Sequence, residues 1–442
     1  MKALLDLVAR HRSGQAIGIA SICSAHPVVL DAALIHGRDS GRPVLIEATS
    51  NQVNQFGGYT GMHPADFHAF VMDKADRAGL AREQVLLGGD HLGPNAWQDE
   101  SAASAMAKSE TLIDEYVAAG FRKIHLDCSM SCADDPAVLA DAEVAARAAR
   151  LCTIAERAWK RIGGEAPVYI VGTEVPIPGG AKEELDELQV TRPEGMAATV
   201  EAHRKAFVEH GLDDAWQRVI GLVVQPGVEF DHHDVVDFKP DKARALSDAI
   251  EKFPGLIYEA HSTDYQTPEA LAALVRGHFA ILKIGPGATY ALRETLWALS
   301  FIEDELLRTA KSSGLRDVVL DVMLAKPKYW NKYYTDSRRL TLDMQYSLSD
   351  RVRYYWTHPE IRQACDALQH NLARISANGA LPLALLSQYL PRQYEDIRAG
   401  HLANSVTSIL RAGVTHVLHQ YAQACDQRLC ASNFEKQMGN SK

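Results

Sequence analysis

The chain has 442 residues, of which 47% are hydrophobic and 23% are charged, a balance typical of a globular protein. Its formal net charge of −10 argues against a general nucleic-acid-binding or anionic-membrane surface. No stretch approaches the roughly 18 uninterrupted apolar residues of a membrane span, so we expect none.

The N-terminal sequence is unlike a targeting signal. MKALLDLVARHRSG carries Asp6 and several basic residues within its short apolar stretch, which predicts an amphipathic helix rather than a signal peptide. The 7 cysteines include no C-x-x-C pair, which favours reduced thiols. We therefore expect a cytoplasmic protein.

Short β-branched apolar runs recur along the first two thirds of the chain. Their near-continuous hydrophobicity is typical of parallel strands that are buried on both faces. The predicted strands lie within 16–23, 43–49, 84–91, 123–129, 168–174, 219–225, 256–262 and 279–285.

Helical patterns lie between these runs and end at glycine or proline stop signals. They cover 27–38, 64–78, 101–119, 136–162, 193–210, 241–253, 268–276 and 289–312. Strict alternation of strand and helix predicts an α/β fold, a closed (β/α)8 TIM barrel over residues 1–312. An open doubly wound sheet is the alternative, although the G-x-G-x-x-G fingerprint is absent after the first strand. Residues 313–442 predict a helical C-terminal extension packed on the barrel.

The predicted strands end in polar or ionisable residues, although their interiors are apolar. Active sites of such barrels lie where strands end and βα-loops begin, so these residues indicate a site. Asp127 and Ser24 could instead cap helices. The strand-end residues are Ser24, His26, Glu47, Thr49, Asp90, His91, Asp127, Glu174, Gln225, His261, Ser262, Asp264, Lys283 and Gly285.

Two histidines and a carboxylate on this rim indicate a divalent metal, with zinc the first candidate. Imidazole and carboxylate ligands suit zinc, and a catalytic site needs three protein ligands and one open position. We therefore predict His91, His261 and Glu174 as ligands, although either histidine could be a hydrogen-bonded structural residue. His125 lies inside a strand and can point into a packed layer, so it is not in this set. The DHHD sequence at 231–234 is typical of a solvated loop.

The last predicted strand ends in LKIGPGAT, which indicates an anion site. Gly285 and Gly287 precede a helix, whose N–H groups and dipole can bind a phosphate, and Lys283 adds a positive charge. Gly-Pro-Gly is also an ordinary turn. Arg351 and Arg353 in the tail either reach a phosphate or form salt bridges to the barrel. No G-x-x-x-x-G-K-[ST] sequence occurs, so nothing supports an ATP-dependent kinase of that type.

Nine longer motifs carry a resemblance to a known family. They are GGDHLGPN (88–95), HLDCSMSCADD (125–135), VGTEVPIPGG (171–180), VVQPGVEFDHHDVVDF (223–238), YEAHSTDYQTP (258–268), LKIGPGATYALRE (282–294), KPKYWNKYY (326–334), SDRVRYYW (349–356) and YLPRQY (389–394). Together they resemble the GatZ/KbaZ family, the accessory subunits of class II D-tagatose-1,6-bisphosphate aldolase.

The resemblance implies a barrel similar to class II aldolases. Asp90 and His91 match the Asp-His pair that supplies a proton-shuttling carboxylate and a zinc ligand there, and His261 resembles a further ligand. KIGPGAT is similar to the loop that holds a substrate phosphate, and we group Ser262 and Asp264 with it as substrate-binding residues. Glu174 stands where aldolases have a third histidine ligand, and this departure fits a non-catalytic partner.

Three functions follow from these observations. The first is a non-catalytic subunit that stabilises a catalytic class II aldolase subunit in galactitol or tagatose catabolism. The second is a stand-alone metal-dependent epimerase of fructose and tagatose forms or their phosphates, with Asp90 and Glu174 as acid/base groups. The third is a sugar-phosphate-binding protein without turnover. The expected partners are the aldolase subunit and a sugar phosphate, with no nucleic acid and no membrane, and a homo-oligomer stays open.

Overall fold

The strands alternate with helices along the chain. A computed structural model describes residues 1–173, 188–307, 312–375 and 379–426. The strands are β1 (Ile19–Ile22), β2 (Val44–Thr49), β3 (Val85–Leu92), β4 (Lys123–Leu126), β5 (Val168–Gly172), β6 (Val219–Val223), β7 (Glu229–Phe230), β8 (Val235–Val236), β9 (Ile257–Ala260) and β10 (Phe279–Ile284).

The helices occupy most of the remaining chain. They are α1 (Lys2–Arg12), α2 (Pro27–Ser40), α3 (Pro64–Ala78), α4 (Ala102–Ala118), α5 (Asp141–Ile162), α6 (Pro193–Glu209), α7 (Asp213–Trp216), α8 (Pro240–Ala249), α9 (Pro268–Arg276), α10 (Pro286–Leu307), α11 (Leu315–Ala325), α12 (Leu340–Tyr346), α13 (Pro359–Ile375), α14 (Leu383–Tyr389), α15 (Pro391–Arg398) and α16 (Val406–Cys425). Short 3₁₀ turns lie at Arg82–Gln84, Pro94–Trp97, Ile250–Lys252, Pro327–Tyr329 and Arg351–Tyr354.

Parallel strands close into a barrel in the order β1, β10, β9, β6, β5, β4, β3 and β2. Every residue of β3, β5 and β10 is buried, which is why their sequences are almost continuously apolar. The predicted (β/α)8 barrel is confirmed, and the open sheet is excluded. Helix α10 begins at Pro286, three residues before the predicted start at 289, because proline is favoured in the first helical turn.

The interior of the barrel is apolar at the amino-terminal ends of the strands. Leu45, Leu86, Ile170 and Ile257 belong to a buried cluster there. Helix α1 covers this end, where Leu4 packs into the same cluster. Burial on this scale excludes water, so this end of the barrel is a packed core and not an opening.

The C-terminal helices complete the outer layer of the barrel. Helix α16 packs against α2, α9, α10 and β1, and the Gly18 N–H donates to the Cys425 carbonyl at 2.9 Å. This part of the predicted extension therefore shares its core with the barrel, while residues 427–442 lie outside the described residues. No described helix combines the length and the apolar character that crossing a bilayer requires.

The DHHD segment belongs to a hairpin that the sequence did not predict. Strands β7 and β8 pair antiparallel, and His232 lies between them, partly buried, with Nε2 2.9 Å from the Tyr333 carbonyl and Nδ1 3.1 Å from Ser349 Oγ. The expectation of a solvated loop is thus wrong for His232, because the C-terminal segment packs over it. It holds for His233, which is exposed.

Candidate active site

A pocket opens at the carboxyl ends of the barrel strands. Seven of the predicted site residues line it, namely Asp90, His91, His261, Ser262, Asp264, Lys283 and Gly285. Gly287 lies beside them and donates its backbone N–H to Asp264 Oδ1 at 2.9 Å. Glu174, predicted both as a ligand and as an acid/base group, lies outside the described residues.

A layer of buried charges forms the floor of this pocket. Lys123 Nζ lies 2.5 Å from Glu47 Oε1 and 2.6 Å from Glu259 Oε2. Lys283 Nζ lies 2.9 Å from Asp90 Oδ1 and 3.3 Å from Glu259 Oε1, and it also contacts Glu47. Burying charges is costly, and here each ammonium offsets that cost by contacting at least two carboxylates. We call these five residues the charge layer.

Strand periodicity explains how these side chains come together. Side chains two residues apart point to the same face of a strand. Lys123 and His125 in β4, and Asp127 directly after it, therefore all point into the barrel. Glu259 and His261 do the same at β9. The predicted site leaves out His125 and does not contain Lys123 or Glu259. An ionisable residue two positions before a strand-end ionisable residue marks both His125 and Glu259, and the same spacing leads on from His125 to Lys123.

Three histidine rings lie above the charge layer with centroids 4.9–5.3 Å apart. His125 Nδ1 lies 2.9 Å from Asp90 Oδ1, and His261 Nε2 lies 3.0 Å from Glu259 Oε1. His91 Nδ1 lies 2.7 Å from Asp127 Oδ2. Asp127 therefore orients His91 in the site, a role different from the helix cap that the sequence also allowed.

Asp90 is held as a carboxylate. Burial alone would raise its pKa, but His91, Lys283 and the hydrogen bond from His125 lower that pKa well below the usual range. The same pairing acts on Lys283. Burial would lower the pKa of this ammonium, but Asp90 and the other acidic neighbours raise it well above the usual value. Cys23 Sγ lies 3.5 Å from Asp90 Oδ2 and burial raises the pKa of that thiol, so it stays protonated and donates.

The two predicted histidine ligands differ in charge. Burial lowers the pKa of His261 to about 4, which leaves a neutral imidazole that can bind a metal. Burial also acts to lower the pKa of His91, but Asp90 and Asp127 outweigh it and raise that pKa. His91 is therefore the more easily protonated of the two.

The backbone is strained at the same place. His91 has φ +48° and Ser262 has φ +52°, which is the left-handed region that non-glycine residues rarely adopt. Such strain persists only where the surrounding structure enforces it and is concentrated at functional sites. Gly88, one of two glycines before Asp90, leaves room for a side chain of the charge layer. A Cβ there would come within 2.9 Å of the Glu47 side chain.

A divalent metal fits these residues. Potential ligand atoms of Asp90, His125, Glu259 and His261 all lie within 4.8 Å of one another, and His125 Nε2 is buried without a hydrogen-bond partner in the described structure. Two carboxylates and two imidazoles are a donor set that zinc and similar ions accept. His91 lies beside this set, not within it.

Charge balance supports the same fit. Four buried acidic side chains, those of Glu47, Asp90, Asp127 and Glu259, lie in this region with two buried lysines, Lys123 and Lys283. Because the acidic groups outnumber the lysines, the region would favour a bound divalent cation.

The predicted anion site after β10 has a different occupant. The backbone N–H groups of Gly285 and Gly287 donate to Asp264 Oδ1 at 3.0 and 2.9 Å. Burial raises the pKa of Asp264 to about 6. The amino end of α10 is thus already bound by a carboxyl group of the chain itself.

The fold and this site together define a (β/α)8 barrel with a buried ionisable site at the carboxyl ends of its strands. Comparison with known families identifies the group. Residues 4–426 match the family described as D-tagatose-1,6-bisphosphate aldolase subunit GatZ/KbaZ-like, and the chain belongs to that family.

Solved structures include a strong match. A protein from Sinorhizobium meliloti 1021, described as a "probable tagatose 6 phosphate kinase", is 47% identical, with 92% of this chain and 100% of that chain covered and a TM-score of 0.84. The YdjI aldolase from Escherichia coli K12 is 12% identical over 80% of this chain and 94% of its own, with a TM-score of 0.40. Fructose-bisphosphate aldolase from Campylobacter jejuni is 13% identical over 82% and 90%, with a TM-score of 0.39.

Proposed function

We propose that this chain is itself a divalent-metal-dependent epimerase that interconverts fructose-type and tagatose-type ketohexoses or their phosphates. The observation that supports this proposal is the buried constellation of Asp90, the three histidines and Lys283 at the open end of the barrel. Membership of a family of tagatose-bisphosphate aldolase subunits supports a ketohexose as the substrate class.

The free-energy cost of burying so many charges favours a catalytically active site over one that has lost its activity. Replacing a buried ion pair by packed apolar residues of similar volume is often neutral or stabilising, by about 1–4 kcal/mol. The opposite end of the same barrel has such an apolar filling. A subunit with only a structural role would lose nothing by filling both ends in this way, whereas chemistry requires ionisable groups and tolerates the strain at His91 and Ser262.

The residues of the pocket supply the acid/base chemistry of an epimerisation. Fructose and tagatose forms differ in configuration at C4, whose C–H is not acidified by the C2 carbonyl. A base can instead take the proton of the C4 hydroxyl while the C3–C4 bond breaks and its electron pair passes to the C2 oxygen. The bond then re-forms on the other face of the resulting aldehyde, and an acid returns the proton to the C4 oxygen. Asp90 lines the pocket and presents carboxylate oxygens that can accept a proton from a substrate hydroxyl. Lys283 faces the same pocket and stabilises negative charge that develops on a substrate oxygen. Glu174 is our candidate for the second acid/base group.

A metal would bind to His261, His125 and Glu259, with Asp90 beside it. When bound, a divalent ion supplies Lewis acidity toward the ketose oxygens. Lys123 keeps Glu259 ionised from below, and burial keeps His261 neutral, so both present lone pairs. The hydrogen bond that His261 Nε2 donates to Glu259 Oε1 also fixes the orientation of the His261 ring.

The family favours a second candidate, a non-catalytic subunit that supports a catalytic class II aldolase. This candidate draws on the family description, which names an aldolase subunit, and on the resemblance of the sequence motifs to accessory subunits. In it, the charged end of the barrel has no turnover of its own and the partner carries all of the chemistry. Zinc would then serve stability or assembly.

One experiment separates the two candidates. The purified chain is loaded with Zn²⁺ or Mn²⁺ and assayed on fructose 6-phosphate and on fructose, alone and with an added catalytic class II aldolase subunit. An epimerase forms the tagatose counterpart alone. An accessory subunit forms none, yet it raises the activity of the added aldolase, and Asp90→Asn does not diminish that support.

A further inference from the structure

Arg353 places a positive charge in the pocket from outside the barrel strands. It belongs to the 3₁₀ turn Arg351–Tyr354, and it lines the pocket together with Tyr354, Tyr59 and Ser262. The barrel alone therefore does not form the whole pocket.

The turn is fixed to the barrel by a buried contact. Asp350 is fully buried and adopts φ +42°. Its Oδ2 accepts a hydrogen bond from Thr289 Oγ1 at 2.6 Å, and its Oδ1 lies 3.2 Å from Arg293 Nη1. Both partners lie in α10, so the position of Arg353 is set by the last helix of the barrel.

Among the described residues, the hydrogen-bond partners of the Arg353 guanidinium are neutral groups. Its nitrogens donate to the carbonyls of Ser349 and Asp350 and, at 3.0 Å, to the Tyr354 hydroxyl. In the described ranges, no carboxylate lies within 4.0 Å of it, although Arg293 nearby has one. Because no described carboxylate pairs directly with this guanidinium, an anionic ligand in the pocket would gain a charge-assisted contact with it.

Arg351, two residues earlier, has a different role. Its guanidinium lies 3.6 Å from the centre of the Tyr333 ring and 4.5 Å from that of Tyr354, and its Nε donates to the Tyr329 carbonyl at 2.7 Å. It does not line the pocket. It supports the tyrosines behind Arg353.

The amino end of α10, where barrels of this type often hold a phosphate, is not available. Asp264 accepts the N–H groups of both Gly285 and Gly287, as described above. A phosphate at that place would compete with the carboxyl group for the same donors and would repel it once ionised. An anionic ligand must therefore be bound elsewhere in the pocket.

We propose that Arg353 binds the phosphate of a phosphorylated ketohexose, and that the amino end of α10 does not. The identity of the sugar rests on the proposed function, whereas the anion preference rests on Arg353 itself. The planar fork of a guanidinium matches two phosphate oxygens, which gives geometric specificity as well as charge. The substrate class is then the sugar phosphate rather than the free sugar, and the C-terminal segment selects it.

Ligand binding measured by calorimetry tests this assignment by a readout other than catalytic activity. Fructose 6-phosphate, fructose and inorganic phosphate are titrated into the metal-loaded wild-type chain and into Arg353→Gln, Arg353→Lys and Arg338→Gln. Arg338 is the matched control, since it is an exposed arginine of the same C-terminal segment that pairs with Asp336 at 3.2 Å. Arg353→Gln should weaken the binding of fructose 6-phosphate about 10- to 100-fold and leave the affinity for fructose unchanged. Arg338→Gln should bind like the wild type.

The remaining outcomes are equally decisive. Unchanged affinity of Arg353→Gln for fructose 6-phosphate, equal loss of fructose and its phosphate, or a wild-type chain with no preference for the phosphate would each overturn the assignment. If Arg353→Gln does not fold, Arg353→Lys decides, with an expected loss of about 5- to 10-fold confined to the phosphorylated ligand. A phosphate preference that depends on Arg353 without any turnover would refute the epimerase and leave this assignment standing.

Discussion

The two ends of the barrel are built from the same strands and filled in opposite ways. At the amino-terminal ends the interior holds aliphatic side chains under α1, and at the carboxyl-terminal ends it holds the charge layer and three histidines. Apolar packing stabilises without directional requirements, whereas buried charges need each partner in place. The apolar end therefore stabilises the fold without taking part in chemistry, whereas the charged end supplies ionisable groups and is stable only while each charge keeps its partners. Four substitutions test this division of roles.

The largest effect should come from Asp90→Asn. The amide cannot accept a proton in the way the carboxylate does, and general acid/base groups contribute about 10²- to 10⁴-fold to rate. We expect the turnover of fructose 6-phosphate by the metal-loaded chain to fall by that factor, measured as kcat. Near-wild-type turnover by this variant would mean that Asp90 is not the base.

Lys123→Met should cost the most stability. The change leaves Glu47 and Glu259 with Lys283 as their only shared cation, and breaking a buried ion pair typically costs about 3–5 kcal/mol. The free energy of unfolding in urea measures this loss. A variant as stable as the wild type would show that the charge layer is not coupled in the way its distances suggest.

Leu45→Ala tests the opposite end. Leu45 is fully buried in the apolar cluster, so the substitution should cost about 2–4 kcal/mol through lost burial and a residual cavity. Because this end takes no part in chemistry, kcat per folded molecule should stay unchanged. A tenfold fall in kcat with little change in stability would contradict the division of roles.

Asp264→Asn should show a smaller effect that depends on pH. Burial raises the native pKa of Asp264 to about 6, above the unfolded value of about 3.9, so its proton stabilises the native state below about pH 4. That stabilisation is lost as pH rises through about 6. Asparagine does not titrate and can still accept the Gly285 and Gly287 N–H groups. The stability of the variant relative to wild type should therefore rise by about 1–3 kcal/mol between pH 4 and pH 7.

Urea unfolding at several pH values gives this difference directly. A stability difference that does not vary with pH would show that Asp264 is ionised throughout the range. The amino end of α10 would then hold a full negative charge, and an anionic ligand would be excluded from it even more strongly.

The fold was predictable from sequence because the hydrophobic pattern and the positions of glycine and proline indicate the same strands and helices. Near-continuous apolar runs specified the strands, and Gly79 or Pro64 marked helix ends at the residues where the structure has them. Strand-end residues were predictable for the same reason, since the ends of parallel strands meet on one rim.

The deeper part of the site was not predicted. Lys123, His125 and Glu259 lie inside strands, where an isolated charge is easily assigned to a turn or to packing, and their partners come from distant strands. The sequence left two roles open for Arg353, phosphate binding and a salt bridge to the barrel. Its position depends on the buried contact of Asp350 with α10, which no local sequence pattern encodes. Gly88 proved to make room for Glu47, a neighbour known only from the strand register.

The most direct test of the account is a time course of fructose 6-phosphate with the purified chain alone, followed by NMR of the sugar carbons. The account predicts that tagatose 6-phosphate appears with one equivalent of Zn²⁺ or Mn²⁺ and that chelation of the metal stops its formation. No conversion by the metal-loaded chain, together with activation of an added aldolase subunit, would contradict it and leave the charged end of the barrel without chemistry of its own.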